Sequence, residues 1–475
     1  MSWIRQLLSS PRARRGLAAS AVALSVGGLV LMQAPAVGSA FQFGALDGDR
    51  GATFQGPGAK GTLQLSQSRV QSGQGNSVYA ELTLEAEDLP AGTERAPLAL
   101  AIVFDTSGSM SGEKIERSKR SVADLIERMR DEDEVAFVRY DSNHEVVQRL
   151  ARVGEVRRQL LQRVFSISAG GGTNIPPALD RGMEEVAHAA PGRVRRVILV
   201  SDGLDSSKER SEQLARAGAA TSTTVSALGI GLDFDESYMS GVANAGRGNF
   251  GFVENPSALA RFLTQELDET ANTVVDDARV QLSLAPGLRF LRAVGAEVVD
   301  QSAGEVTLAL GSLFARDQRR VIVELRADAE HGETLDLKSH LSWRRVGGKQ
   351  AQVQVPALTL QGERSQQLVL ASRDPRVVAS ATSALASLRQ LAATHAYAEG
   401  DTDKAEALMD QSLAALETAA AAAPAAERES LDKQRAELGE AKRAFRAAPP
   451  KSAAAKSAGK ASAAANAKNI GRKAF

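Results

Sequence analysis

The chain has 475 residues, enough for about three domains at roughly 150 residues each. It is 43% hydrophobic and 24% charged, and 57 basic residues balance 57 acidic ones, which argues against a dedicated nucleic-acid binder with its basic excess. The absence of cysteine excludes disulfides, thiolate catalysis, Cys-ligated zinc and iron–sulfur clusters. Five scattered histidines with no HExxH pattern argue against a His-rich metal centre, so oxygen ligands are left to carry the chemistry.

Residues 1–40 read as an export segment. Arg5, Arg12, Arg14 and Arg15 precede an uncharged run from Leu17 to Met32, and a small-residue stretch ends at Ala40. A basic start, an apolar middle and a small-residue exit are the parts of a secretory signal, with cleavage expected after Ala36 or Ala40. An uncleaved N-terminal anchor is the alternative, because the run approaches the ~17–25 residues that span a bilayer. Both readings place the body of the protein outside the cytoplasm, in the periplasm, the cell envelope or the extracellular space.

Residues 41–60 are Gly-rich and polar and read as a linker. In 61–96, Thr62 to Leu65 and Val78 to Leu84 alternate as two half-buried strands. Residues 97–271 change rhythm. Leu98 to Phe104 is continuously apolar, as in a strand covered on both faces, and Val135 to Val138, Val194 to Val200, Thr223 to Ile230 and Gly251 to Val253 follow between helical stretches. This alternation predicts an α/β domain with a doubly wound, mostly parallel sheet. Residues 272–362 carry short strands separated by turn signals such as Pro286-Gly287 and Gly332, the pattern of a β-sandwich. Two strands cannot bury a core alone, so those of 61–96 are expected to join the sandwich, with the α/β domain inserted between. Residues 373–447 predict a helical hairpin or bundle opened by Asp374-Pro375. The stretch 448–475 holds Lys and Arg without acids and predicts a disordered basic tail, which with the N-terminal segment could associate with membrane or envelope.

The residues that carry chemistry follow strand ends. Asp105, Ser107 and Ser109 alternate where the first apolar strand runs into a Gly-containing turn, Thr173 ends the Gly170-Gly171-Gly172-Thr173 loop, and Asp202 lies in Ser201-Asp202-Gly203 after another apolar strand. In a doubly wound sheet the crevice beyond the carboxyl ends of the strands is where ligands bind. Five hard oxygen donors from three strand ends suit Mg²⁺, with Mn²⁺ or Ca²⁺ as substitutes. Two carboxylates and three hydroxyls around a divalent ion leave it a position for an incoming carboxylate, which makes a recognition device rather than a catalyst.

In this order, these segments resemble the von Willebrand factor type A domain. The resemblance covers roughly Leu98 to Glu269 and continues through Ala227 to Asp235 and Gly246 to Val253. It implies that Asp105, Ser107, Ser109 and Thr173 coordinate the ion of a metal-ion-dependent adhesion site directly, with Asp202 direct or through water. A sandwich built from both flanks is similar to bacterial and inter-α-trypsin-inhibitor-type relatives. The implied role is a metal-dependent adhesion-type module of the cell envelope whose protein partner presents an acidic residue. An envelope assembly or scaffold factor using the same domain and the helical region is the alternative. A metal-dependent hydrolase is disfavoured, since no G-x-S-x-G elbow, phosphate loop or dinucleotide fingerprint is present and Ser107 stands where a phosphotransferase needs its second Asp.

Overall fold

The computed structural model describes residues 43–46, 50–89, 96–202, 205–230, 236–253, 256–346, 348, 350–447 and 452. The expected export segment, and all of the basic tail but Ser452, lie outside the described residues.

The segment expected as a linker is sheet instead. It forms β1 (Phe43–Leu46), β2 (Gly51–Gly56) and the start of β3 (Ala59–Leu65), followed by β4 (Arg69–Gln71) and β5 (Asn76–Ala86). Along β2, Ala52, Phe54 and Gly56 point inward and Gln55 outward. A Cβ on Gly56 would come within 2.7 Å of the Trp343 ring, and one on Gly61 within 2.5 Å of the Phe54 ring. Gly56, one of the glycines that give the segment a linker's composition, thus makes room for the Trp343 ring, and Gly61 just beyond it for the Phe54 ring. Gly58 makes the turn between β2 and β3 at φ 84°, where a side chain would be strained.

The chain then enters the α/β domain. Its elements are β6 (Leu98–Asp105), α1 (Glu113–Arg128), β7 (Glu134–Tyr140), β8 (His144–Arg152), α2 (Val153–Ser166), α3 (Ile175–Ala187), β9 (Val194–Ser201), α4 (Lys208–Ala220), β10 (Thr223–Ile230), α5 (Glu236–Ala245), β11 (Arg247–Val253) and α6 (Pro256–Ala271). The strand order is β11-β10-β9-β6-β7-β8, parallel except for β8, which returns antiparallel to β7. Every residue of β6 and β10 is buried, as their unbroken apolar runs require. Residues of α1, α2 and α6 pack into the core on one face, and residues of α3, α4 and α5 into the core on the other. The chain builds outward from β6 to β7 and β8, then restarts on the other side with β9. The carboxyl ends of β6 and β9 therefore flank the switch point, the place where a doubly wound sheet opens a ligand crevice.

A sandwich follows with β12 (Thr273–Leu284), β13 (Leu288–Val294), β14 (Glu297–Ser302), β15 (Glu305–Phe314), β16 (Gln318–Ala327), β17 (Thr334–Arg345) and β18 (Gln350–Glu363). Its sheets run β1-β2-β3-β5-β16-β13 and β14-β15-β12-β17-β18-β4. β5, from before the α/β domain, pairs antiparallel with β16, from after it, in unbroken register from Glu85↔Gln318 to Asn76↔Ala327. One apolar core runs between the sheets, with Trp343 buried in it and its indole N–H donating to the Pro57 carbonyl at 2.8 Å.

Four helices complete the described chain: α7 (Gln366–Ala371), α8 (Pro375–Glu399), α9 (Thr402–Ala422) and α10 (Ala425–Ala447). The Asp374 side chain caps α8 by accepting from the N–H groups of Arg376 and Val377, and Gly400 ends it at φ 94°. Ala381, Ala384 and Leu385 of α8 pack on Val294 and Ile322 of the sandwich, and Ser380 donates to Glu81 at 2.8 Å. Tyr397 stacks on Phe445 with ring centroids 4.4 Å apart, closing α8 on α10. Among the described residues, no helix is long and apolar enough to cross a membrane.

Because Trp343 fills the space that Gly56 leaves, Trp343→Ala is expected to lower the free energy of unfolding by about 3–5 kcal/mol. Equilibrium denaturation followed by circular dichroism measures this; a loss below 1 kcal/mol would contradict the packing described.

Candidate functional site

At the end of β6 the Asp105 carboxylate is fully buried. Its Oδ1 accepts the Ser107 N–H at 2.8 Å. Its Oδ2 accepts the Ser201 hydroxyl at 2.8 Å and, more weakly, the Tyr140 hydroxyl at 3.4 Å. From Ser107 a relay continues across the crevice. The Ser107 and Ser109 hydroxyls lie 3.0 Å apart, and Ser109 donates to Asp202 Oδ1 at 2.7 Å. The other Asp202 oxygen accepts from Lys114 Nζ at 2.6 Å. The Asp202 side chain is 0% exposed, whereas that of Lys114, in the first turn of α1, is 37% exposed. Asp105, Ser107, Ser109 and Asp202 are thus brought together in one hydrogen-bonded chain across the switch point.

Thr173 does not follow a strand end as the sequence suggests: it lies in the loop between α2 and α3, and that loop is tied to the site through its glycine backbone. The Gly108 N–H donates to the Gly171 carbonyl at 3.0 Å, and the Gly170 N–H to the Thr106 carbonyl at 2.8 Å, so the glycine loop is stitched to the turn after β6. Gly171 sits at φ 79°, and a Cβ there would press on Asp141 at 3.1 Å, so the loop needs glycine at this point. On the far side of Thr173, the Ile175 N–H at the start of α3 donates to Asp205 Oδ2 at 2.7 Å, while Asp205 Oδ1 accepts the Ser207 N–H at 2.6 Å. Asp205 therefore ties the loop carrying Thr173 to the loop carrying Asp202.

The electrostatics follow from burial. Desolvation raises the pKa of Asp105, the hydrogen bonds from Ser107 and Ser201 pull it back down, and the neighbouring Asp202 charge raises it further. The Tyr140 phenol is pushed well above its usual value, first by burial and then by the Asp105 charge, so it stays protonated and donates. Two carboxylates in one relay with a single ammonium beside them form a site that favours added positive charge. The donor set is hard oxygen, two carboxylates with the hydroxyls of Ser107, Ser109 and Thr173, and fits a small divalent cation. Among the described residues, no three His, Asp or Glu side chains gather into a metal cluster, so a metal here would rest on two carboxylates, hydroxyls and water.

Four contributors lie outside the five residues that the sequence singles out. Ser201 sits inside the Ser201-Asp202-Gly203 segment, but only Asp202 draws attention there. Tyr140 ends an apolar strand and reads as core. Lys114 carries a signal of its own, since a cation in the first turn of a helix opposes the helix dipole and needs a local anion. Asp205 reads as a turn residue. His144 is exposed at the start of β8, opposite Tyr140 in the β7–β8 ladder. Residues 231–235, part of the stretch read as family-like, lie outside the described residues.

The family model of the von Willebrand factor type A domain matches residues 99–265. With the doubly wound sheet already described, that segment is a von Willebrand factor type A domain. An uncharacterized protein of Synechocystis sp. is 27% identical over 247 residues, covering 49% of this chain and 58% of the relative. The inter-alpha-trypsin inhibitor heavy chain H2 of Mesocricetus auratus is 27% identical over 194 residues, 37% of this chain and 20% of the relative. The chain therefore spans little more than half of one of these relatives and a fifth of the other. Among solved structures, a von Willebrand factor type A protein from Catenulispora acidiphila superposes with a TM-score of 0.65 at 17% identity, covering 88% of this chain and 97% of its own. The shared fold thus extends through the sandwich as well as the type A domain.

Two outcomes follow. Asp205→Ala removes the acceptor for two backbone N–H groups and is expected to cost about 1–2 kcal/mol in denaturant unfolding and to speed exchange of the Ile175 amide; unchanged exchange would contradict the tie between the loops. Since the Asp105 pKa is raised in the fold, its contribution to stability is complete below the unfolded pKa and is lost as pH rises through the folded one. In EDTA, wild type should therefore lose stability relative to Asp105→Ala between acid and neutral pH, and a gain over that range would contradict the assignment.

Proposed function

We propose that the type A domain binds one divalent cation of the Mg²⁺ class at Asp105, Ser107, Ser109, Thr173 and Asp202, and through it captures an acidic side chain of a protein partner. The relay from Asp105 through Ser107 and Ser109 to Asp202 carries this reading, because it places two buried carboxylates and two hydroxyls together at the sheet's switch point. Type A domains commonly mediate protein interactions, which accords with a recognition role. The cation, when bound, supplies a coordination position for a carboxylate oxygen. The residues do the rest. Ser201 and Tyr140 hold Asp105 in place, the Gly108–Gly171 hydrogen bond ties the loop that carries Thr173 to the turn after β6, and Lys114 offsets part of the negative charge.

The composition of residues 1–40 and of the tail supports an exported protein that acts in the periplasm, cell envelope or extracellular space, with membrane or envelope association through those segments. Mn²⁺ and Ca²⁺ are expected to substitute for Mg²⁺ with different affinities, because the donors are hard oxygens without strong geometric selection.

Isothermal titration of the purified chain with Mg²⁺ or Mn²⁺ is expected to show one site that EDTA reverses, lost in Asp202→Ala and weakened in Ser107→Ala. At a metal concentration a hundredfold above Kd, mass action adds about 2.7 kcal/mol of stability. Absence of binding heat together with an unchanged melting temperature in wild type would contradict the reading.

A further inference from the structure

The ion pair between Lys114 and Asp202 has consequences for what the site selects. Lys114 stands in the first turn of α1, where the helix dipole disfavours a cation, yet its ammonium lies 2.6 Å from a carboxylate that is 0% exposed. The remaining Asp202 oxygen is engaged by Ser109, and Asp105 is held by Ser107, Ser201 and Tyr140. The described relay therefore has two carboxylates and one built-in positive charge. With a divalent cation added, the charges of the group come to +1 rather than zero. A site with that residual charge attracts an anion and repels a second cation.

We infer that Lys114 is a specificity-determining residue: it weakens the site's hold on the metal ion itself and strengthens the metal-loaded site's hold on a carboxylate ligand. The inference rests on the proposed metal site and adds to it a division of labour between two positive charges. A cation so close to Asp202 competes with the ion for that carboxylate's charge, and Coulomb repulsion between it and a divalent ion costs affinity even in high dielectric. The same side chain is 37% exposed, so its charge is within reach of an incoming acidic group, and attraction to that group would add to coordination.

The two effects have opposite signs, which makes them separable from loss of structure. Mn²⁺ binding is measured by isothermal titration, and acetate, as a minimal carboxylate, is titrated into the Mn²⁺-loaded protein by its effect on water-proton relaxation. Lys114→Met is expected to bind Mn²⁺ about tenfold more tightly and acetate several-fold more weakly, whereas Lys114→Arg, which keeps the charge, should stay near wild type in both. Lys114→Gln is read alongside as a second neutral variant should Lys114→Met not fold. If the neutral variants change neither affinity, or weaken both together, Lys114 only positions Asp202 and the inference is overturned while the metal site stands. If wild type itself takes up no Mn²⁺ and matches Asp202→Ala, the metal reading falls and this inference falls with it.

Discussion

Two carboxylates buried in one relay are tolerable only when positive charge lies within reach. Asp105 and Asp202 sit at the ends of adjacent parallel strands, shielded from water, and accept hydrogen bonds from Ser107, Ser109 and Ser201. Donors alone do not cancel two charges, and Lys114 supplies one unit of the balance. The remaining imbalance is what the proposed cation would offset, and the architecture around it keeps the two carboxylates close. The reversal of winding direction between β6 and β9 makes the two strands neighbours, and the left-handed glycine at 171 lets the third loop fold over them.

The surrounding sandwich gives that crevice a rigid mount. β5 leads into the type A domain and β16 follows it, and because these two strands pair directly, the entering and leaving segments belong to one sheet. Ion pairs reinforce the seam. Arg216 of α4 bonds Glu297 of β14 at 2.7 Å, and Arg247 of β11 reaches Asp277 of β12 at 3.2 Å. Arg247 and Asp277 both hold positive φ, near 57° and 51°, an unusual conformation for residues with side chains. The helical region is likewise folded onto the sheet of β5, β16 and β13 through α8.

Much of this was legible in the residues alone, for identifiable reasons. A strand buried on both faces must be apolar throughout, so Leu98 to Phe104 announced β6, and polar residues at its end stood out against it. The Asp374-Pro375 pair announced the start of α8 because capping and the proline ring act locally. What the residues alone do not show depends on distant partners. The segment from Gly44 to Lys60 looks like a linker until Trp343, almost three hundred residues later, fills the space over Gly56. β8 was not foreseen, because the turn at Asp141 to Asn143 returns an amphipathic strand along one edge of the sheet. Within the site, Lys114, Ser201, Tyr140 and Asp205 matter through contacts that spacing along the chain does not reveal.

The central claim is that these loops enclose a single divalent ion, and anomalous diffraction addresses it most directly. In crystals grown with Mn²⁺, data collected at the manganese edge should show one strong peak bounded by Asp105, Ser107, Ser109, Thr173 and Asp202, absent after soaking in EDTA. A well-ordered crystal with no peak at that crevice, or with manganese bound only elsewhere, would contradict the account.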